Sequence, residues 1–190
     1  MSVAKSIDLL RAVVLSPDCA KMNLSTVKGY MGELLVKQRL EAELGSIRVE
    51  HFGNQHGHDL QYVLSGKTVK IDVKTSTAKD ERHWGFRYWS WALLTDTKKK
   101  ISATHFVCAG LNDQLKLQAL FVVAVTDLHR FPRDTGQFRN NKHVLFLPQS
   151  EPPEASPGVT NEMYVQSRAL ILAGSVREVA TGSRLVDAFV

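Results

Sequence analysis

The fold of this chain is decided by residues 59–74, DLQYVLSGKTVKIDVK. Two runs of β-forming residues flank a Ser-Gly pair, and a two-residue turn that contains glycine is a strong hairpin signal. If Leu64 pairs with Lys67 across this turn, counting back along both strands places Asp59 opposite Asp72. The sequence therefore predicts a β-hairpin that sets one carboxylate across from another.

Apolar and charged residues alternate along the second strand of this hairpin. The apolar set is Val69, Ile71 and Val73, and the charged set is Lys70, Asp72 and Lys74. Because side chains alternate between the two faces of a strand, Asp72 and Lys74 share one face, roughly 7 Å apart. Carboxylates that face each other across a ladder repel, and Mg²⁺, which prefers oxygen ligands, removes that repulsion. For the hairpin alone, an ordinary solvated Lys-x-Asp-x-Lys face remains the alternative.

A long helix is predicted before the hairpin, over residues 24–44, with Ser25 or Thr26 near its start and Gly45 after its end. At about 100° per residue, it has two apolar or small stripes. The first stripe is Leu24, Val27, Met31, Leu34 and Leu35, and the second is Gly29, Glu33, Val36 and Leu40. Glu33 is the ionisable member of the second stripe, where a carboxylate is costly unless it is paired or bound to a metal. The alternative places Glu33 at the edge of a solvated face near Lys37.

Three segments in this order resemble the PD-(D/E)xK nuclease superfamily, which includes restriction endonucleases and archaeal Holliday-junction resolvases. They are residues 28–33 (KGYMGE) on the helix, residues 57–60 (GHDL), and residues 71–76 (IDVKTS). The resemblance covers residues 24–76, and His58 stands where the superfamily usually has proline before the first Asp. It implies an α/β fold with a restriction-endonuclease-like core, in which helices flank a central mixed β-sheet.

The resemblance also implies a catalytic set made of Glu33, Asp59, Asp72 and Lys74. In such a site Asp59 and Asp72 bind Mg²⁺, for which Mn²⁺ can substitute, and Glu33 is a ligand directly or through water. Lys74 orients the attacking water or helps to deprotonate it, since lysine is a compact cation whose pKa shifts when it is desolvated. The expected reaction is in-line hydrolysis of a DNA phosphodiester.

A zinc site is a second interpretation of the same region. Residues 56–59, HGHD, resemble half of the His-x-His-x-Asp-His motif of metallo-β-lactamase-type hydrolases. Leu60 stands where that motif requires further ligands, which counts against zinc. His51, His56 and His58 are otherwise expected to line the loop before Asp59, where one of them can contact a DNA phosphate.

Composition agrees with a DNA partner without requiring one. The chain has 190 residues, 44% of them hydrophobic, a formal net charge of +5 and a pI of about 9.3, which suits one domain that binds a polyanion. The candidate nucleic-acid contacts are basic residues and one serine: Lys28, Lys70, Ser76, Arg87, Lys98, Lys99, Lys100 and Arg133. For the run of three lysines, a solvated basic surface is the alternative. Aromatic residues within 83–91 are expected mainly to pack a core.

The whole chain, residues 1–190, is expected to form a single nuclease domain. Its parts are a core motif region at 16–76, a proline-rich loop at 148–160 and a C-terminal helical segment at 161–190. A first helix is predicted over about residues 4–15, and further strands at 47–52, 86–91, 105–109, 118–125 and 143–147. No apolar run reaches membrane-spanning length, no signal-peptide pattern is present, and the two cysteines lack metal spacing. A cytoplasmic protein with no membrane partner is therefore expected.

The combined prediction is a Mg²⁺-dependent DNA endonuclease of restriction or homing type, because residues 77–190 leave room for DNA-recognition elements. The alternatives are a Holliday-junction resolvase, and a non-catalytic DNA-binding module on the same fold. The substrate is duplex or branched DNA. A homodimer is expected, since one such site cuts one strand and a duplex presents two.

Overall fold

The computed structural model describes residues 2–19, 23–52, 57–81, 86–93, 102–131, 133–134, 142–148, 159–180 and 182–189. In these ranges there are three α-helices: α1 (Val3–Leu15), α2 (Ser25–Leu44) and α3 (Val159–Leu172). The strands there are β1 (Glu50–His51), β2 (Leu60–Leu64), β3 (Lys67–Thr77), β4 (Lys79–Glu81), β5 (Phe86–Ala92), β6 (His105–Leu111), β7 (Leu117–Ala124), β8 (Arg133–Asp134), β9 (Lys142–Pro148) and β10 (Val176–Glu178). Short 3₁₀ segments lie at Pro17–Cys19, Val125–Arg130 and Leu185–Phe189.

The strands form two sheets. The larger has six strands in the order β1-β2-β3-β6-β7-β10, and the smaller has four in the order β4-β5-β9-β8. The larger sheet is mixed, because β3 and β6 run parallel while its other neighbours are antiparallel. The predicted fold class, an α/β fold with a central mixed sheet flanked by helices, is confirmed.

The predicted hairpin is present with its predicted register. β2 and β3 pair antiparallel from Leu64↔Lys67 to Leu60↔Ile71. In the turn, Ser65 has φ 51° and Gly66 has φ 76°. Positive φ at both central residues is the type I′ geometry, whose twist matches that of the flanking strands.

Two opposite stripes of α2 are buried, as predicted. Met31 and Leu34 belong to a cluster with residues of α1 and of the loop after β6, and Val36 and Leu40 pack on the sheet. The sheet cluster also contains Ile71 and Val73, the apolar set of β3. A helix with apolar stripes on opposite sides lies between two packed surfaces, which fixes α2 between α1 and the sheet.

The approach of α2 to β3 depends on a glycine. A Cβ atom added at Gly32 would lie 1.8 Å from Thr75 Oγ1, far inside van der Waals contact. The absence of a side chain at position 32 therefore lets the helix lie directly against β3, and the next residue, Glu33, is carried to the sheet.

Several predictions for the rest of the chain are confirmed and some need correction. The first helix and the strands predicted at 86–91, 105–109, 118–125 and 143–147 are present. The strand predicted at 47–52 is shorter, because only Glu50 and His51 pair with β2. The segment 161–190 was expected to be helical, but it also contains β10, which pairs with β7. Residues 149–158 of the proline-rich loop lie outside the described residues.

The aromatic segment of β5 packs in the core, as predicted. Trp89 and Trp91 are 5% and 1% exposed, and their indole N–H groups donate to the carbonyls of Leu111 and Ala109. Trp84 lies outside the described residues. None of the helices in the described part of the chain is long and apolar enough to cross a membrane.

Candidate active site

Asp59 lies at the open end of the hairpin, one residue before β2. Its backbone N–H donates to the carbonyl of Ile71 (2.8 Å), and its Oδ2 accepts the N–H of Val73 (2.7 Å). Asp59 thus contacts both chain neighbours of Asp72, although the ladder itself ends at Leu60↔Ile71. The residue is only 8% exposed. The two carboxylates are therefore brought together where the register predicts.

Asp72 and Lys74 share one face of β3, as the alternation predicts. Lys74 Nζ lies 2.6 Å from Asp72 Oδ1, and the two side chains are 27% and 20% exposed. The ammonium group also lies over the ring of Phe106, 5.7 Å from its centroid. Because it sits against an aromatic ring and one carboxylate, this lysine is held in place at the site.

Glu33 projects from α2 towards β1. Its Oε2 lies 2.6 Å from His51 Nε2, with the side chains of Glu33 and His51 12% and 16% exposed. Lys37 instead pairs with Glu41 and donates to the carbonyl of Val49 (2.7 Å). The alternative in which Glu33 lies on a solvated face near Lys37 is therefore wrong, because Lys37 has other partners and Glu33 is largely buried.

The electrostatics of Asp59 show that the three carboxylates share one region. The pKa of Asp59 is raised to about 7, first by burial and then by the charges of Asp72 and Glu33. The hydrogen bond from Val73 N–H and the charge of Lys74 act in the opposite direction but are outweighed. Neighbouring negative charges that raise the pKa of one carboxyl favour either a bound proton or a bound cation there. Around Asp59, the effect of the neighbouring negative charges is therefore larger than the effect of the Lys74 charge.

The donor set of this cluster suits a hard cation. Three acidic side chains supply oxygen ligands, which Mg²⁺ and Mn²⁺ prefer. The described residues contain no group of three or more His, Cys, Asp or Glu side chains already arranged around a metal position. In the arrangement seen, Asp72 is paired with Lys74 and Glu33 with His51. Oxygen donors of the kind that Mg²⁺ prefers are thus present, but in the described residues they are not gathered around one point.

Zinc finds less support in this part of the chain. His58 is buried, with Nδ1 2.7 Å from Ser102 Oγ and its ring against Phe52. His51 is paired with Glu33, and His56 lies outside the described residues. The two described histidines thus make contacts other than those of a zinc ligand set.

The candidate DNA contacts fall into three groups. Lys28 on α2 and Lys70 on β3 are partly exposed. Ser76 is 5% exposed and its hydroxyl accepts the N–H of Ser90, so it does not face DNA, which corrects the prediction. Arg87 forms a two-pronged ion pair with Asp113, and because both side chains are exposed, its role as a phosphate contact stays a prediction. Lys98, Lys99 and Lys100 lie outside the described residues, and so does the side chain of Arg133 on β8.

Sequence reasoning placed His51 in the loop before Asp59 but did not predict its pairing with Glu33. The pairing depends on the approach of a two-residue edge strand to the middle of a helix, which no local pattern encodes. A weak signal was available in the spacing of Tyr30 and Glu33, one helical turn apart. The Tyr30 ring packs on His51, with the ring centroids 5.3 Å apart.

Comparisons with known proteins add little to this geometry. No protein-family model and no curated protein matches the sequence. Among solved structures, a bacterial homing endonuclease, I-Ssp6803I, is similar with a TM-score of 0.47 and 15% identity, over 81% of this chain and 95% of that one. XiaF from Streptomyces sp., in complex with FADH2 and glycerol, has a TM-score of 0.21 and 13% identity, over 81% of this chain and 42% of that one. At these TM-scores and identities, neither likeness establishes a shared fold or activity.

Proposed function

We propose that this protein is a Mg²⁺-dependent DNA endonuclease of the PD-(D/E)xK type, of restriction or homing character. The observation that supports the proposal is that Asp59, Asp72 and Lys74 lie together at the open end of the β2–β3 hairpin, with Glu33 near enough for its charge to raise the pKa of Asp59. Glu33 comes from α2, Asp59 precedes β2, and Asp72 and Lys74 lie on β3, the chain order of the superfamily that the sequence resembles. The raised pKa of Asp59 supports a cation there, because bound positive charge relieves the mutual repulsion.

The acidic side chains are proposed to hold the metal. Asp59 and Asp72 bind it directly, and Glu33 binds it directly or through water. Such a bound ion lowers the pKa of a water molecule and stabilises charge on the phosphate. Asp72 would hold the ion with the carboxylate that here contacts Lys74.

Lys74 is then available to the attacking water. Its ammonium group lies over the ring of Phe106 and beside Asp72, two contacts that keep it at the site. A cation held there can orient the water by a hydrogen bond and, in a desolvated site, take part in its deprotonation. This assigns Lys74 to the nucleophile and the carboxylates to the phosphate and metal.

Positive charge near the hairpin is proposed to bind the DNA backbone. Lys28 and Lys70 are partly exposed on the two elements, α2 and β3, that carry Glu33 and Asp72. Contacts from lysine to phosphate position a protein on DNA without reading its sequence. The net charge of +5 favours the same partner. A homodimer is proposed for cleavage of both strands of a duplex.

Cleavage of three substrates tests the proposal. Supercoiled plasmid, linear duplex and a four-way junction are incubated with the purified protein in Mg²⁺, and separately in chelator. Cutting of plasmid and linear duplex that requires metal is the expected result, whereas cutting confined to the junction assigns a Holliday-junction resolvase instead. DNA binding with no cleavage in Mg²⁺ or Mn²⁺ would overturn the enzymatic proposal and leave a DNA-binding module.

A further inference from the structure

We infer that His51 is a positioning residue that fixes the Glu33 carboxylate in the candidate active site. This inference rests on the proposed nuclease function, because Glu33 is one of the residues proposed to hold the metal. His51 Nε2 lies 2.6 Å from Glu33 Oε2, and both side chains are more than four-fifths buried. A short hydrogen bond between such side chains restricts the rotation of the carboxylate.

His51 belongs to the same backbone segment that holds Asp59. In the β1–β2 ladder His51 pairs with Leu60, the residue directly after Asp59. The next residue, Phe52, donates its backbone N–H to the carbonyl of Asp59 (2.8 Å). The histidine therefore connects the strand end that carries Asp59 to the helix that carries Glu33. Its hydrogen bond sets where these two acidic residues lie relative to each other.

The ring of His51 is held from the helix side as well. Tyr30 lies one turn before Glu33 on α2, and its ring packs on the imidazole at a centroid distance of 5.3 Å with the planes tilted by 35°. The helix thus supplies both the hydrogen-bond partner and an aromatic ring. With two contacts on the imidazole, one orientation of the ring is favoured, and through it one orientation of the Glu33 carboxylate.

The expected consequence concerns metal affinity. A carboxylate that is already oriented loses less rotational freedom when it binds an ion, so its binding is tighter. Groups that hydrogen-bond to metal ligands typically change metal affinity or activity 10- to 100-fold when they are removed. His51 acts here through Glu33 and does not itself contact substrate or metal.

The experiment compares two substitutions at this position. His51→Leu keeps apolar contact with Tyr30 but removes the hydrogen bond, and His51→Gln retains an amide donor on a side chain of similar reach. The Mg²⁺ concentration for half-maximal plasmid cleavage and the dissociation constant of Mg²⁺ without DNA, from calorimetry, are both measured. We expect His51→Leu to raise both about 10- to 100-fold, and His51→Gln to restore most of the loss. DNA affinity in chelator should not change.

Matched variants separate positioning from a purely structural role. His129 is exposed, and its ring contacts the carbonyl of Thr126 nearby in the chain, so His129→Leu should leave the Mg²⁺ requirement unchanged. If His51→Leu fails to fold, His51→Asn replaces it, because its amide is too short to reach Glu33 and should show the same raised requirement. A wild-type Mg²⁺ requirement in the His51 variants, with only a lower melting temperature in chelator, overturns this inference alone. Absence of Mg²⁺ binding and cleavage in the wild type overturns the proposed function and this inference together.

Discussion

Replacing Asp59 with asparagine should change how stability depends on pH. Burial and the charges of Asp72 and Glu33 raise the pKa of Asp59 from 3.8 to about 7 in the folded protein. Between these two values the folded state binds a proton that the unfolded state does not, so the free energy of unfolding of the wild type falls as pH rises. The group's contribution is fully present below about pH 4 and is lost as pH passes through about 7. Asp59→Asn removes this titration while its amide oxygen can still accept the N–H of Val73.

The magnitude follows from the size of the shift. A shift of about three pKa units at 1.36 kcal/mol each gives about 4 kcal/mol as an upper value, and relaxation of the site reduces it to roughly 2–4 kcal/mol. In chelator, the free energy of unfolding of Asp59→Asn relative to wild type should therefore rise by roughly 2–4 kcal/mol from pH 4 to pH 8. Added Mg²⁺ at pH 8 should offset the difference by stabilising the wild type.

Urea unfolding at several pH values, in chelator and in Mg²⁺, measures this difference. Asp113→Asn is the control, since Asp113 is exposed and Arg87 lowers its pKa. The stabilising contribution of Asp113 is present above the unfolded-state pKa and is lost as pH falls, the opposite sign to Asp59. Parallel stability curves for Asp59→Asn and wild type would contradict this prediction, because they would mean that Asp59 titrates as an ordinary exposed carboxyl.

Three further predictions follow from the same site and the helix beneath it. Lys74→Ala should retain DNA binding in chelator and lose cleavage by about 10²-fold or more, and efficient Mg²⁺-dependent cutting by the variant would remove Lys74 from the mechanism. Asp72→Asn should change the free energy of unfolding in chelator by no more than about 1 kcal/mol, because it loses the pair with Lys74 but relieves repulsion among the carboxylates. The same substitution should reduce the increase in melting temperature that Mg²⁺ gives. An unchanged increase would place the metal elsewhere. Gly32→Ala should destabilise the fold by roughly 1–3 kcal/mol, because the added Cβ clashes with Thr75. Gly29→Ala has open space around the added Cβ and should stabilise the fold by up to about 1 kcal/mol. Equal effects of the two substitutions would mean that α2 does not approach β3 closely.

Local signals explain the parts of the fold that the sequence predicted. The Ser-Gly turn and the alternation on both sides of it determine the register of the β2–β3 pair, because a slip of one residue would expose the apolar set. The two stripes of α2 likewise predict a helix buried on opposite sides. These patterns were sufficient to bring Asp59, Asp72 and Lys74 to one end of one hairpin.

Other features depend on contacts between distant segments, which leave no local pattern. The pairing of Glu33 with His51 requires β1 to lie close to α2. Strand β10 likewise depends on its antiparallel pairing with β7. Ser76 follows the motif on β3 and has a polar side chain, yet the second sheet covers it and Ser90 takes its hydroxyl. Arg87 is basic and partly exposed, but Asp113 lies 26 positions further along the chain and pairs with it. In each case tertiary packing decides what the residue type alone leaves open.

Anomalous diffraction from crystals soaked in Mn²⁺ tests whether Asp59 and Asp72 hold a metal ion. A manganese peak within about 2.0–2.3 Å of carboxylate oxygens of both residues is expected, with Glu33 bound directly or through water. Lys74 Nζ should then have moved off Asp72 Oδ1, from which it lies 2.6 Å in the structure described above. A well-diffracting soak with manganese only at other positions, and the Lys74–Asp72 pair intact, would contradict the claim that these residues form a metal-dependent nuclease site.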